Sequence, residues 1–371
     1  MPCTSPFRAP TVVPNATLIS LFLFVRHGAR VPYQHWERTD IDYEWRCGEN
    51  YLTRNYRIPL VNGVLTDFKF NSSINHSFLP SCTDGSLLDL GSEQLQKLGQ
   101  SYRNYLIDET HLLSSEYDSN EIYLRSSYIP RCIESGVSFI DGLYPPQTPD
   151  ETINVTTGTS TDEPLFPHAL ANEVFKQKAL EFIATDETHR RESLFDANAD
   201  TLVKYYNLSF TNPLEKFLLG DFMNTLRCNN QPYPREITDP IFPELMSDTA
   251  YFVQGYFEFM KPLAEKPIFE LMFNEIDLIN EGKKTQKFTL YSGHDVTLAA
   301  IMVGLGYLDL SSPPPFASHI TAEIWKVEEV DYIRFTFNGN VLKYKGNELT
   351  ILKQFREEMK QYLNKEIVDE L

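Results

Sequence analysis

The stretch Leu18 to Arg30, LISLFLFVRHGAR, sets an almost unbroken apolar run against residues that change its character at once: Arg26, His27, Gly28 and Arg30. Branched and aromatic side chains at Leu18, Ile19, Leu21, Phe22, Leu23, Phe24 and Val25 suit a strand covered on both faces, as in the parallel sheets of α/β proteins. Ligands of such sheets bind beyond the carboxyl ends of the strands. Two planar guanidiniums and an imidazole delivered there suit a phosphate, because each arginine offers a fork of donors and a neutral histidine offers a nitrogen nucleophile. Gly28 allows the backbone to approach the ligand closely.

Outward from this stretch the same pattern recurs twice. Residues 121–124, EIYL, read as a short strand that ends in Arg125, followed by Ser126, Ser127 and a helix reaching Leu143. Residues 287–292 return to strand and end in Gly293, His294 and Asp295, ahead of an apolar helix from Leu298 to Val303. Between the first two units, residues 33–84 form a long aromatic and polar excursion, and Leu95, Leu98, Tyr102, Tyr105 and Leu106 recur at helical spacing. Pro145, Pro146 and Pro149 stop the second unit, and residues 151–163 read as a Thr-rich loop.

From residue 166 to 244 the signal is helical, with Leu170, Val174, Leu180 and Ile183 on one helix and Leu214, Phe217, Leu218 and Leu226 on another that Pro213 opens. A strandless block between two halves of an α/β pattern reads as an inserted helical cap. The expected organisation is an α/β core in two parts, 1–148 and 246–371, with a cap over 149–245. Its expected architecture is a mostly parallel central sheet flanked by helices. Near the end, Ile333, Phe335 and Phe337 share a strand face before an Asn338-Gly339 turn. The last helix carries the stripe Leu352, Phe355, Met359 and Leu363.

Composition narrows the partners. The chain has 371 residues, 42% of them hydrophobic and 13% aromatic, enough for a sizeable core. A formal charge of -18 argues against nonspecific binding to nucleic acid or anionic membrane, so an anionic substrate must be drawn by local arginines. No apolar run is long enough to span a bilayer. Five cysteines without a C-x-x-C pair point away from zinc, and acceptor triplets begin at Asn15, Asn71, Asn75, Asn154 and Asn207. Together these favour a secreted or lysosomal glycoprotein. No signal peptide is visible, so the chain reads as a mature form with its leader removed, and its last four residues as a frayed acidic end. In an oxidising compartment, an odd cysteine count suggests Cys47–Cys82 and Cys132–Cys228 bridges with Cys3 free.

The motifs RHGARVP, YLRSSYIPR and SGHD, in that order, resemble those of the histidine phosphatase superfamily, in its histidine acid phosphatase and phytase branch. LGSEQLQKLG, GLYPP, AEIW and FNGNVL resemble the same family, and residues 166–244 are the least covered. The resemblance implies that His27 attacks phosphorus, that Arg26, Arg30, Arg125 and His294 hold the phosphoryl oxygens, and that Asp295 protonates the leaving oxygen. Phosphoryl transfer requires in-line positioning and neutralised equatorial oxygens, which three arginines can supply without a metal or other cofactor.

Arg131 fits a further arginine of the pattern but reads as structural, and the Asp40/Asp42 pair reads as a solvated acidic loop rather than a metal site. Val31 and Tyr33, on either side of Pro32, depart from the small residues that many relatives have around that proline, which puts substrate choice in doubt. The reading is a metal-independent acid phosphomonoesterase acting on a small-molecule phosphate monoester. The alternatives are a phytase-like inositol-phosphate hydrolase, a mutase-like transferase and a non-catalytic binder of phosphorylated ligands. The oligomeric state is left open, a homodimer included.

Overall fold

The computed structural model describes residues 2–34, 36, 38–48, 55–59, 65–68, 82–147, 151–159, 162–166 and 173–364. Asn71, Asn75, Pro149, Leu170 and the end from Val368 lie outside them. In chain order the elements are β1 (Thr17–Arg26), β2 (Asn55–Pro59), β3 (Leu65–Phe68), α1 (Asp89–Arg103), β4 (Ile122–Ser126), α2 (Pro130–Leu143), β5 (Thr152–Asn154) and β6 (Thr156–Thr157). A helical series follows: α3 (Glu173–Ile183), α4 (Asp186–Tyr205), α5 (Pro213–Cys228), α6 (Arg235–Thr238), α7 (Phe242–Ala250), α8 (Tyr256–Met260) and α9 (Lys266–Asn280). The chain then forms β7 (Phe288–Gly293), α10 (Asp295–Gly304), β8 (His319–Val327), β9 (Val330–Phe337), β10 (Asn340–Leu342), β11 (Thr350–Ile351) and α11 (Leu352–Leu363).

The main sheet runs in the order β10-β9-β8-β1-β7-β4-β6, with β11 beside β9. Its half from β1 through β7 and β4 to β6 is parallel, and the half from β8 outward is antiparallel. β1 is buried on both faces, as its run of apolar residues requires. Leu21, Leu23 and Val25 join a cluster with Leu95, Leu98 and Tyr102 of α1 and Val137 and Ile140 of α2. Phe22 and Phe24 point the other way, into a cluster with Phe269 and Met272 of α9, Leu298 of α10 and Phe355 of α11. Each such buried side chain contributes about 1.5–3 kcal/mol, so β1 anchors both layers. The Asn338-Gly339 turn has both residues at positive φ, 50° and 76°, as the tight β9–β10 hairpin demands.

Two local expectations change. Residues 152–157 are strand rather than loop: β5 pairs in parallel with β2, and β6 extends the main sheet beside β4. Thr and Ile suit such short edge strands, whose length hides any period. On α3 the buried residues are Phe175 and Phe182, whereas Val174 and Leu180 are more than half exposed. The two rings are held by Tyr256 and Phe257 of α8, and this cluster includes Ala299 and Val303 of α10. The helical segment therefore docks on the helix that begins at Asp295.

The cysteine pairing is corrected in one bridge, and the other, Cys47–Cys82, is as expected. Cys3 bridges Cys228 and Cys47 bridges Cys82, with Cα–Cα distances of 5.2 and 5.6 Å, while Cys132 is a buried free thiol. Cys132 sits on α2 under the end of β7, where its Sγ donates to the Gly293 carbonyl at 3.2 Å, so it faces the sheet and not α5. Asn15, Asn154 and Asn207 are exposed.

Glu265, just before α9, is fully buried with neither carboxylate oxygen hydrogen-bonded, and burial pushes its pKa up to about 8. The fold therefore holds the proton that the unfolded chain releases near pH 4.5, and this stabilisation is full below that pH and lost as pH rises through 8. Glu265→Gln is expected to gain up to about 3 kcal/mol over the parent at pH 7.5 relative to pH 4.5. Chemical denaturation at the two pH values measures this, and an equal difference at both would mean that the carboxylate is ionised in the fold.

Candidate active site

The site is assembled by register. Arg26 of β1 lies opposite Gly293 of β7, and Ser126 of β4 lies opposite Ser292, so three adjacent parallel strands end level. The ladder runs one residue further on each side, with His27 N–H donating to Gly293 O and Ser127 N–H to Ser292 O, both at 3.0 Å. These bonds fix His27, His294 and Ser127 beside one another.

The turn after β1 is compressed against α1. A Cβ on Gly28 would fall 2.2 Å from the Gly91 carbonyl oxygen, and one on Gly91 equally close to that of Ala29, so both positions need glycine. The buried amides of the turn are satisfied by side chains: Gly28 N–H donates to Ser135 Oγ at 3.1 Å and Ala29 N–H to Gln94 Oε1 at 2.8 Å.

His27 is 2% exposed. Its Nδ1 lies 2.8 Å from the Gly28 carbonyl, which can only accept, so Nδ1 carries the proton and Nε2 keeps its lone pair. Burial, followed by the charges of Arg131, Arg26 and Arg30, holds its pKa well below the usual histidine value, and the ring is neutral. The ring of His294 lies edge-on to that of His27, with centroids 5.7 Å apart. Its Nε2 is 2.9 Å from Ser127 Oγ, and its ring packs on Phe166 at 4.3 Å. Cys132 Sγ is 3.5 Å from that Nε2, and burial pushes the thiol up to about 11, so it stays uncharged there.

Each of the three expected arginines is held by one carboxylate. Arg26 meets Asp295 Oδ2 at 2.9 Å, donates to the Pro314 carbonyl and lies over the Phe316 ring at 4.6 Å. Arg30 donates from Nη2 to both oxygens of Asp221 at 2.9 and 2.8 Å, and from Nη1 to Val31 O at 3.1 Å. Arg125 meets Glu163 at 3.1 Å, and Glu163 also accepts from Gly158 N–H at 2.8 Å and Leu165 N–H at 3.0 Å. Burial raises the pKa of Glu163, opposed by Arg125 and those two amides. The ion pair and both amides hold the side chain in place on Arg125.

The structure thus gathers Arg26, His27, Arg30, Arg125, His294 and Asp295 at one strand edge. It adds three residues that the sequence reading did not assign to the site. Arg131, read as structural, acts on His27 more strongly than Arg26 or Arg30 does; its signal was present in YLRSSYIPR. Asp221 and Glu163 carry no motif and come from distant segments. The Nε–H groups of Arg26, Arg30, Arg125 and Arg131 are all buried without an acceptor in the protein. Leaving such a donor unpaired costs about 1–3 kcal/mol, so four of them favour an anion that accepts from them. Asp40, by contrast, is taken up by Arg38 at 2.8 and 2.6 Å, and no group of three potential metal ligands occurs among the described residues.

The profile of the histidine phosphatase superfamily (branch 2) matches residues 17–261 and 173–338. The chain belongs to this family. The phosphatase is 26% identical to counting factor 60 of Dictyostelium discoideum, across 93% of this chain and 86% of that protein. It is 27% identical to 2-phosphoxylose phosphatase 1 of Xenopus tropicalis, across 88% of this chain and 68% of that protein. Its fold is that of the phytase from Citrobacter braakii, with a TM-score of 0.61 at 14% identity, over 93% of this chain and 98% of that one. The phosphatase is a phosphoric monoester hydrolase of the histidine acid phosphatase kind.

Around the phosphatase's pocket the aromatic residues follow from the same elements. Tyr33, three residues beyond Arg30, is 56% exposed, and Tyr128 lies within electrostatic reach of Tyr33, Glu163 and Arg131. Thr297 fixes the turn at His294 by accepting from its N–H at 2.9 Å and donating to the Leu165 carbonyl, which ties α10 to the segment carrying Glu163.

Proposed function

We propose that the protein hydrolyses small phosphate monoesters at acidic pH through a phosphohistidine on His27. Nε2 of His27 attacks phosphorus, the N–P bond forms as the P–O ester bond breaks, and Asp295 gives its proton to the leaving oxygen. Water then attacks the phosphohistidine, Asp295 takes its proton, and the N–P bond breaks to release inorganic phosphate. Arg26, Arg30, Arg125 and His294 hold the phosphoryl oxygens, and Arg131 adds to their charge.

The observation that carries this reading is the Nδ1–Gly28 hydrogen bond of a buried neutral His27, which leaves a nucleophilic Nε2 among four guanidiniums. Asp295 is suited to exchange protons because its side chain remains 21% exposed while Arg26 and Val296 N–H orient it. Residues 149–245 act as a cap over this pocket. Two disulfides and three exposed acceptor asparagines support a secreted or lysosomal setting.

Turnover of a panel of phosphate esters at pH 5 and pH 7.5, with a chelator present, tests the function. We expect hydrolysis of simple monoesters, faster at pH 5 and unchanged by the chelator. Absence of turnover with phosphate binding retained would point instead to a non-catalytic binder.

A further inference from the structure

We propose that Asp221, a carboxylate that the cap lays on Arg30, restricts the pocket to esters carrying a single phosphate. The proposal rests on the phosphatase reading above and concerns substrate class. Asp221 lies on α5, two turns before Cys228, and its side chain is 14% exposed against 7% for Arg30. Both of its oxygens bind the same Nη2, so Nε of Arg30 stays available to a phosphoryl oxygen while the charge of Arg30 is already matched.

The charge balance of the pocket follows. Four guanidiniums, of Arg26, Arg30, Arg125 and Arg131, face Asp295, which carries a proton when it acts as the acid, Glu163, whose pKa burial raises, and Asp221, the carboxylate that the cap adds on Arg30. Among the described cap residues, Arg190 and Arg191 pair with Glu187, and Arg227 and Arg235 lie over the Phe242 and Tyr233 rings. Among residues 173–260 the four lysines are each ion-paired: Lys176 with Glu173, Lys178 with Glu181, Lys204 with Asp200, and Lys216 with Glu192 and Asp196. A substrate with phosphates beside the scissile one would bring them towards Asp221, and the formal charge of -18 adds to that repulsion.

Asp221 is a specificity-determining residue that acts through Arg30 and through its charge. The test compares a simple alkyl monophosphate with myo-inositol hexakisphosphate, by turnover and by calorimetric binding, on the parent, Asp221→Asn and Asp221→Glu. Asparagine keeps the shape and an acceptor for Arg30 and removes the charge. The expected result is a rise of about tenfold in kcat/KM for the hexakisphosphate relative to the monoester in Asp221→Asn, and a parent-like ratio in Asp221→Glu. An unchanged ratio in Asp221→Asn, or an equal change in both variants, would overturn the proposal. If no protein turns over either ester, the phosphatase reading fails by itself, and the ratio of binding constants for inorganic phosphate and the hexakisphosphate decides the role of Asp221 by the same criteria.

Discussion

Replacing His27 with alanine is expected to lower turnover by about 10⁴-fold or more and to remove the acid-labile phosphoryl label that rapid quenching traps on the parent. The size of the loss follows from the geometry. Nothing else at the strand edge can take over, because the His294 ring is engaged with Ser127 and Phe166 and the Cys132 thiol is held protonated by burial. The backbone of the turn is held independently, by Gln94, Ser135 and the contact of Gly28 with Gly91, so the variant should keep its fold. Thermal unfolding close to that of the parent checks this point. A folded His27→Ala protein that turns over near the parent rate would sink the assignment.

For Asp295→Ala the expected signature is a split between leaving groups. An alkoxide is a poor leaving group and requires a proton in the transition state, whereas a nitrophenolate departs as a stable anion. Loss of the acid should therefore cost about 10² to 10⁴ in rate for alkyl phosphates and far less for the aryl ester. Because Asp295 also holds Arg26 at 2.9 Å, its removal changes phosphate binding as well, and the comparison is made as a ratio between the two esters on one variant. If phosphorylation of His27 slows equally for both, Asp295 is not the acid.

The part of this site that was legible in the sequence is the part that is local. Arg26, His27 and Arg30 stand within one turn of a strand whose two-sided burial dictates its apolar run, and the runs before Arg125 and His294 repeat the device. Parallel pairing then brings the three ends together. Asp221 and Glu163 were illegible because what defines them is a contact made across 191 and 38 residues, and neither FLLGDFMN nor TSTDEPL announces it. Arg131 was visible in YLRSSYIPR but read as structural, and only the fold shows that α2 brings its charge to bear on His27. Of the cysteines, the Cys47–Cys82 bridge was read correctly and the partner of Cys228 was not, for a similar reason. Their number suggested two bridges, but the partner of Cys228 depends on where the amino-terminal segment runs, and that segment lies along Phe316 and Ala317.

That path along Phe316 has a consequence for how the enzyme is made. The Cys3–Cys228 bridge joins residues 225 apart, and synthesis at about 5–20 residues per second keeps Cys3 waiting roughly ten seconds or longer for its partner. Cys47 and Cys82 emerge during that interval, so in an oxidising compartment the first thiols that Cys3 meets are the wrong ones. Any bond that Cys3 makes with them must be exchanged before Cys228 can take its place, and uncatalysed exchange runs on the scale of seconds to hours. The helix that carries Asp221 ends at Cys228, ahead of β7 and β8 in the chain, so this bridge ties the outer carboxylate's helix to the amino-terminal segment independently of the strands that pair with β1.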